Sequence, residues 1–317
     1  MYSRENYQLA KEEIETRRKN AVSTADMRNL ELQSKYESIR AIDAELSGTG
    51  LKLFKLACSG GDITPLKERN AALVKARREL LVSLGYPEDY TDVKYTCACC
   101  SDTGFVGTKM CSCLKELLLR KNILSSGMGS LIDKQSFDNF DLNWYKTNEE
   151  EYRRMSHNLA SAKQFAKDFG IRQQNMLLIG STGTGKTHLS TAVAKEVISR
   201  GFDVLYDSAQ NIISAFENDR FRSGYGQREK ESDKYFECEL LIIDDLGTEF
   251  INQFTVSTLY NLINTRQNRG VSTIISTNLS AEELGTKYEG RIYSRIIGCD
   301  YKVLFFSGKD HRIYSAN

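Results

Sequence analysis

The sequence predicts an α/β fold, a parallel sheet covered by helices on both faces, preceded by a helical N-terminal region with a small cysteine knuckle. Three observations point there. From Phe137 onward, short apolar β-rich runs alternate with helical stretches, as expected of strands buried on both faces and joined by crossover helices. One such run, residues 176–179, opens into the glycine-rich stretch GSTGTGKT. Ahead of both, five cysteines fall within residues 97–113.

A chain of 317 residues is long enough for two domains by the soft prior of roughly 100–200 residues each. Its 43 basic and 42 acidic side chains leave a net charge of +1, so no bulk positive field advertises nucleic acid and any DNA contact must come from a local patch. The opening MYSRENYQLAKEE lacks the apolar core of a signal peptide, and no apolar run approaches the roughly 18 residues of a membrane span. The expectation is a soluble, cytoplasmic protein without a membrane partner.

The first ninety residues read as charged helices. Tyr36, Ile39, Ile42 and Leu46 fall on one face at three- and four-residue spacing. Ser23, Thr24 and Asp26 offer a break within the first long stretch. Thr64 as N-cap and Pro65 in the first turn introduce a helix carrying Leu66, Leu73, Leu80 and Leu84. This region holds 15 basic and 14 acidic residues, which argues against an electrostatic DNA clamp and for an amphipathic bundle that docks on a protein.

Clustered cysteines in a chain expected to stay reduced ask for a metal rather than disulfides. Cys97 and Cys100 form C-x2-C, and Cys111 and Cys113 form C-x-C after a turn-rich loop. Four thiolates from two turns suit a tetrahedral zinc site, with an iron–sulfur cluster the second choice. Cys99 is the spare, although a choice of Cys97 with Cys99 stays open. Such a closed site would be structural. Cys58, Cys238 and Cys299 sit among apolar neighbours and read as core thiols. LKELLLRKNIL then continues as a short helix, and SSGMGS at 125–130 reads as a flexible joint. The resulting division is 1–90 helical and partner-binding, 91–130 cysteine knuckle and linker, and 131–317 nucleotide domain.

Gly180, Ser181, Thr182, Gly183, Thr184, Gly185, Lys186 and Thr187 fill G-x4-G-K-[ST], preceded by a strand and followed by a helix. Backbone N–H groups in such a loop curl around phosphates, the lysine reaches the β- and γ-phosphates, and the hydroxyl ligates Mg2+. A second strand, LLIIDD, ends in Asp244 and Asp245, at the carboxyl edge where ligands of open α/β sheets gather. Asp244 is the expected water-mediated Mg2+ partner and Asp245 the expected general base. A third strand, STIISTN, ends in Asn278, placed to orient water or touch the γ-phosphate. EGRIYSRIIG puts Arg291 and Arg295 one helical turn apart, and a last strand leads to Arg312. His157 and His188 read as structural.

GSTGTGKT, LLIIDDLGTE, STNL and RIYSRIIG, with SFDNFDL at 136–142 as an entry segment, resemble AAA+ ATPases, specifically helicase loaders of the DnaC/DnaI type and the related IstB transposition helpers. The resemblance covers Phe137 to the C-terminus. The cysteine segment is similar to one that many such loaders carry, whereas the first ninety residues match only in size and character. The resemblance implies ATP/ADP, Mg2+ and Zn2+ as cofactors, Lys186 and Thr187 as Walker A, and Asp244 and Asp245 as Walker B. It further implies Asn278 as sensor 1, Arg312 as sensor 2, and Arg295, with Arg291 as the less favoured choice, as an arginine finger serving a neighbouring subunit. No helical lid is expected, and the ATPase would be weak until a nucleotide-dependent homo-oligomer forms.

The function implied is loading of a hexameric replicative helicase onto single-stranded DNA. The runner-up is an ATPase helper of a DNA transposase. A general chaperone or protease partner fits less well without a lid, and a nucleotide binder without hydrolysis fits poorly with every catalytic position filled. For single-stranded DNA the best local candidate is 219–230, where Arg220, Arg222, Arg228 and Lys230 alternate with Phe221 and Tyr225, although Glu229, Glu231 and Asp233 follow closely.

Overall fold

Side chains alternate across a strand and share a face at three- and four-residue spacing on a helix, and these two periods explain how the chain buries its apolar residues. The computed structural model describes residues 3–59, 61–146, 148–222, 230–298, 300–308 and 310. The chain divides into two units, Lys11–Lys115 and Met1–Ala10 with Glu116–Asn317.

The first unit comprises most of α1 (Arg4–Lys35), then α2 (Glu37–Ser59), α3 (Thr64–Ser83), the ribbon of β1 (Phe105–Val106) and β2 (Lys109–Met110), and the start of α4 (Ser112–Ser125). Leu32, Ile39 and Leu81 form its buried helical centre, edged by Tyr36, Leu84, Tyr86 and Tyr90. Arg77 binds three helices and the segment after them by donating to Asp43, Asn29 and Thr91.

The second unit continues α4 and adds α5 (Leu131–Lys134), a 3-10 turn (Leu142–Tyr145), α6 (Glu149–Asp168), β3 (Asn175–Gly180), α7 (Lys186–Ser199), β4 (Val204–Ser208) and α8 (Ala209–Arg222). It ends with α9 (Asp233–Glu237), β5 (Leu240–Leu246), α10 (Gln253–Arg269), β6 (Ser272–Thr277), α11 (Ala281–Lys287), α12 (Glu289–Ile297) and β7 (Tyr301–Phe306). The strands form one parallel sheet in the order β4-β5-β6-β3-β7. Met176 and Leu178 of β3 join one core with Phe165 of α6 and Val193 of α7. Leu177 and Ile179 join the opposite core with Ile212 of α8, Leu259 and Leu262 of α10, and Ile296 of α12. Both faces are therefore covered, which is why the strands read as continuous apolar runs.

Four local expectations need correction. No break occurs at 23–26, because the Thr24 hydroxyl donates to the Asn20 carbonyl of its own helix instead of capping a new one; the interruption falls at Tyr36, between Leu32 and Ile39. Thr64 is the first residue of α3, not its cap, and its N–H donates to the Asp62 carboxylate. Cys58 is exposed rather than a core thiol, whereas Cys238 is buried; Cys299 lies outside the described residues. The 125–130 segment is not a free joint either, since Ser126 and Met128 are buried and the Tyr206 N–H donates to the Ser126 carbonyl at 2.7 Å. Among the described residues, no helix is long and apolar enough to cross a membrane.

Arg266 of α10 is fully buried. It donates to Thr273 Oγ1 at 3.0 Å, to the carbonyls of Tyr235 at 2.8 Å and Cys238 at 3.0 Å, and to that of Ser272 at 2.6 Å. It therefore ties the end of α9 to the start of β6. Truncation would strand several buried acceptors, each costly when unpaired. Arg266→Ala is expected to lower unfolding free energy by about 3 kcal/mol, read as a fall in the urea midpoint at constant slope.

Candidate functional site

Strand chemistry alone would send the side chains of Asp244 and Asp245 to opposite faces. The register between β5 and β6 is interrupted between Ile243 and Leu246, and Asp245 takes a left-handed φ of +54°. This irregularity re-aims consecutive carboxylates. Asp244 faces the Thr187 hydroxyl, which donates to its Oδ2 at 3.3 Å. Asp245 Oδ1 accepts from the Asn278 side-chain amide at 3.2 Å.

Lys186 is buried at the start of α7. Its ammonium donates to the carbonyls of Gly180 and Ser181 and to Asn278 Oδ1, each at 2.7 Å. Asn278 therefore joins the loop lysine to the second aspartate through one amide. Gly185, with φ +92°, turns the loop into α7, a conformation that suits glycine. The loop is braced from below by Tyr145, whose hydroxyl donates to the Thr184 carbonyl at 3.0 Å, and by Phe140 stacked near it. His188 Nε2 lies 3.0 Å from both the Ser136 carbonyl and Asn139 Oδ1, so it tethers the 136–142 entry segment, as expected of a structural histidine. The Asp310 carboxylate lies directly against Gly183.

Two further hydroxyls complete the surroundings of Asp244: Tyr206 donates to Oδ2 and Ser276 to Oδ1. Ser276 Oγ also accepts the Asp245 N–H at 3.0 Å. Burial, with Asp244 close by, pushes the Tyr206 phenol far above its usual range, which keeps it a donor. Neither Tyr206 nor Ser276 was legible as a site residue. The nearest signal was polar residues at the ends of apolar runs in VLYDS and STIIST. The oxygen-rich set of Thr187 and Asp244 suits a hard divalent cation such as Mg2+.

Arg295 is not part of this cluster. It sits on α12 over the Tyr260 ring, 5.6 Å from its centroid, and donates to Gln267 Oε1 at 3.4 Å. Arg291 lies on the same helix, its side chain outside the described residues, and Arg312 is likewise outside them. Of the 219–230 segment, Arg220 and Phe221 lie at the end of α8. Phe221 is exposed and Arg220 stacks on Phe254. Arg228 and Tyr225 lie outside the described residues, as does the Arg222 side chain.

In the Lys11–Lys115 unit, the sulfurs of Cys97, Cys100, Cys111 and Cys113 all lie within 4.8 Å of one another. Cys97 and Cys111 are 3.8 Å apart, Cys100 and Cys113 3.4 Å; a tetrahedral zinc with bonds near 2.3 Å would need separations of about 3.8 Å. Cys99 is exposed and outside this set. The buried Asp102 shapes the first turn: its carboxylate accepts from the N–H groups of Thr96 and Cys97, both at 2.8 Å. The β1–β2 ribbon then returns Cys111, whose N–H donates to Gly104 O at 2.9 Å. Burial alone would raise the Cys100 thiol, but the Gly104 N–H and the neighbouring thiols outweigh it and bring it down to about 7. The donor set fits a soft tetrahedral metal, and zinc there would act as a staple.

Lysine, hydroxyl and carboxylates gathered at one sheet edge define a nucleotide-binding protein of the AAA+ class. A family model described as IstB-like ATP binding protein matches residues 118–293, and the chain belongs to that family. It is 24% identical over 192 residues to the replicative helicase loader DnaC of Escherichia coli (strain K12), an overlap of 60% of this chain and 75% of that protein. It is 28% identical over 114 residues to the insertion sequence IS5376 putative ATP-binding protein of Geobacillus stearothermophilus, covering 36% of this chain and 44% of that one. A crystal structure of the DnaC helicase loader shares 21% identity over 56% of this chain and 98% of its own, with a TM-score of 0.48.

Loss of one cluster thiolate should weaken zinc binding by at least about a hundredfold, the upper end of what losing a mere supporting contact costs. Cys97→Ser is therefore expected to lose zinc by elemental analysis while nucleotide affinity stays at the wild-type level. Full zinc content after this change would contradict the assignment.

Proposed function

We propose that this protein is an ATP-hydrolysing switch that binds a hexameric replicative helicase and delivers it to single-stranded DNA. The observation that carries the ATPase reading is the Lys186–Asn278–Asp245 chain of hydrogen bonds beside the Thr187–Asp244 pair. In this reading Lys186 neutralises the β- and γ-phosphates, and Thr187 and Asp244 hold Mg2+. Asp245 takes a proton from the water that attacks the γ-phosphorus, with ADP leaving, and Asn278 orients that water. Arg312 acts as sensor 2.

Similarity to a replicative helicase loader, a cysteine cluster ahead of the nucleotide domain and a long helical N-terminal region favour the loader. Residues 1–90 would grip the helicase, 91–130 would form the zinc knuckle and linker, and 131–317 would be the ATPase. Arg295, bonded within its own chain to Gln267 rather than to the P-loop, would act as a finger in a neighbouring subunit, making the isolated protein a weak ATPase. Arg220 and Phe221 offer charge and ring for single-stranded DNA. A second reading, an ATPase helper of a transposase, draws on the family match and the insertion-sequence relative.

Size-exclusion chromatography with light scattering separates the two readings when the protein is mixed with its host's replicative helicase in ATP, in ADP and without nucleotide. A nucleotide-responsive complex is expected; none in any state would sink the loader and make a transposase the partner to try. In the assembled state, Arg295→Ala is expected to retain nucleotide binding and lose turnover by about a thousandfold, measured as phosphate release. Wild-type turnover would remove Arg295 from the site.

A further inference from the structure

Strand β4 lies at the edge of the sheet, with β5 as its only strand neighbour among the described residues. Its free side is occupied at one point by the chain just after α4. The Tyr206 N–H donates to the Ser126 carbonyl at 2.7 Å. Gly127, with φ +79°, follows so closely that a Cβ there would overlap the Tyr206 carbonyl oxygen. Ser126 is fully buried, and its hydroxyl is turned back to the Ile123 carbonyl at 2.7 Å.

The turn is itself held at its helix end. Asn122, buried in the last turn of α4, donates to the Phe202 carbonyl at 3.4 Å. Its Oδ1 and the Ser125 hydroxyl accept from the Asn6 amide at 2.8 and 2.7 Å. Buried polar contacts of this kind hold only in their paired geometry, because breaking one leaves an unsatisfied group away from water.

Tyr206 thus has its main chain gripped by the turn and its hydroxyl committed to Asp244. Register explains the reach: Ser208 is the β4 partner of Asp244, and Tyr206, two residues earlier, shares a face with Ser208. The Tyr206 hydroxyl shares Asp244 Oδ2 with the Thr187 hydroxyl, and hydrogen bonds to a metal-binding carboxylate orient it and tune its affinity.

We infer that Tyr206 is a positioning residue for the Asp244 carboxylate, and that the Ser126–Gly127 turn sets where Tyr206 stands. The state of the chain leaving α4 is thereby conveyed to the Mg2+-binding side chain through the main chain and hydroxyl of Tyr206. The inference rests on the nucleotide reading above. It adds a residue and a segment outside the phosphate loop and the paired aspartates.

The test reads metal dependence rather than turnover. Affinity for a fluorescent ADP analogue is titrated from excess EDTA through millimolar Mg2+ in the full-length wild type, Tyr206→Phe and Gly127→Ala. In Tyr206→Phe, affinity in EDTA is expected to stay at the wild-type value, while the Mg2+ concentration at half-effect rises about tenfold. Gly127→Ala, which must push β4 away, is expected to shift the Mg2+ midpoint the same way. If Gly127→Ala is not recovered folded, Asn122→Ala loosens α4 from Phe202 and is read identically. A wild-type Mg2+ midpoint in Tyr206→Phe overturns the positioning role. A shift in Tyr206→Phe with none in the turn variant overturns the role of Ser126–Gly127. If the wild type itself binds no nucleotide, the nucleotide reading fails first and this inference falls with it; binding that ignores the hydroxyl defeats the inference alone.

Discussion

A carboxylate as buried as Asp244 must be met by donors, because its desolvation is otherwise too costly. Three hydroxyls meet it, from the first turn of α7, from β4 and from β6. They can coincide only if β4, β5 and β6 lie in the observed parallel register and α7 starts directly beyond β3. The apolar faces that cover the sheet on both sides supply that register, since a one-residue slip would exchange the side chains of the two cores. Folding energy and site geometry are therefore aspects of the same packing.

The cysteine cluster solves a different problem by related means. A segment with two two-residue strands cannot bury enough apolar surface to order itself. Asp102 supplies part of the order, its carboxylate collecting two backbone N–H groups and forcing the turn that faces Cys97 toward Cys111. As with Asp244, a buried acid gathers donors, but here they are backbone N–H groups of its own near neighbours in sequence rather than hydroxyls from distant elements.

That distinction explains what was legible in the sequence. The phosphate loop is contiguous, and its glycines, lysine and threonine declare their chemistry by spacing alone. The paired aspartates at the end of an apolar run and Asn278 at the end of the next were readable because strand ends of parallel sheets converge. The four clustering cysteines also followed from spacing, and geometry then separated Cys99 from Cys100. Tyr206 was invisible because its role depends on which strands are neighbours and on their register, and one tyrosine in VLYDS looks like ordinary strand composition. Tyr145 was hidden in the same way, since its partner, the Thr184 carbonyl, is distant in sequence. The 23–26 stretch misled because a threonine hydroxyl has two local options, capping a new helix or bonding back into the old one. Propensity does not choose between them.

Asp245 holds a backbone conformation that most side chains resist and that asparagine tolerates well. Exchange of its carboxylate for an amide would preserve shape and turn while removing basicity. For a protein proposed to act by passing between nucleotide states, this gives a way to hold one state still: a form arrested with ATP bound, its backbone undisturbed, in which a transient assembly would persist long enough to be isolated and imaged.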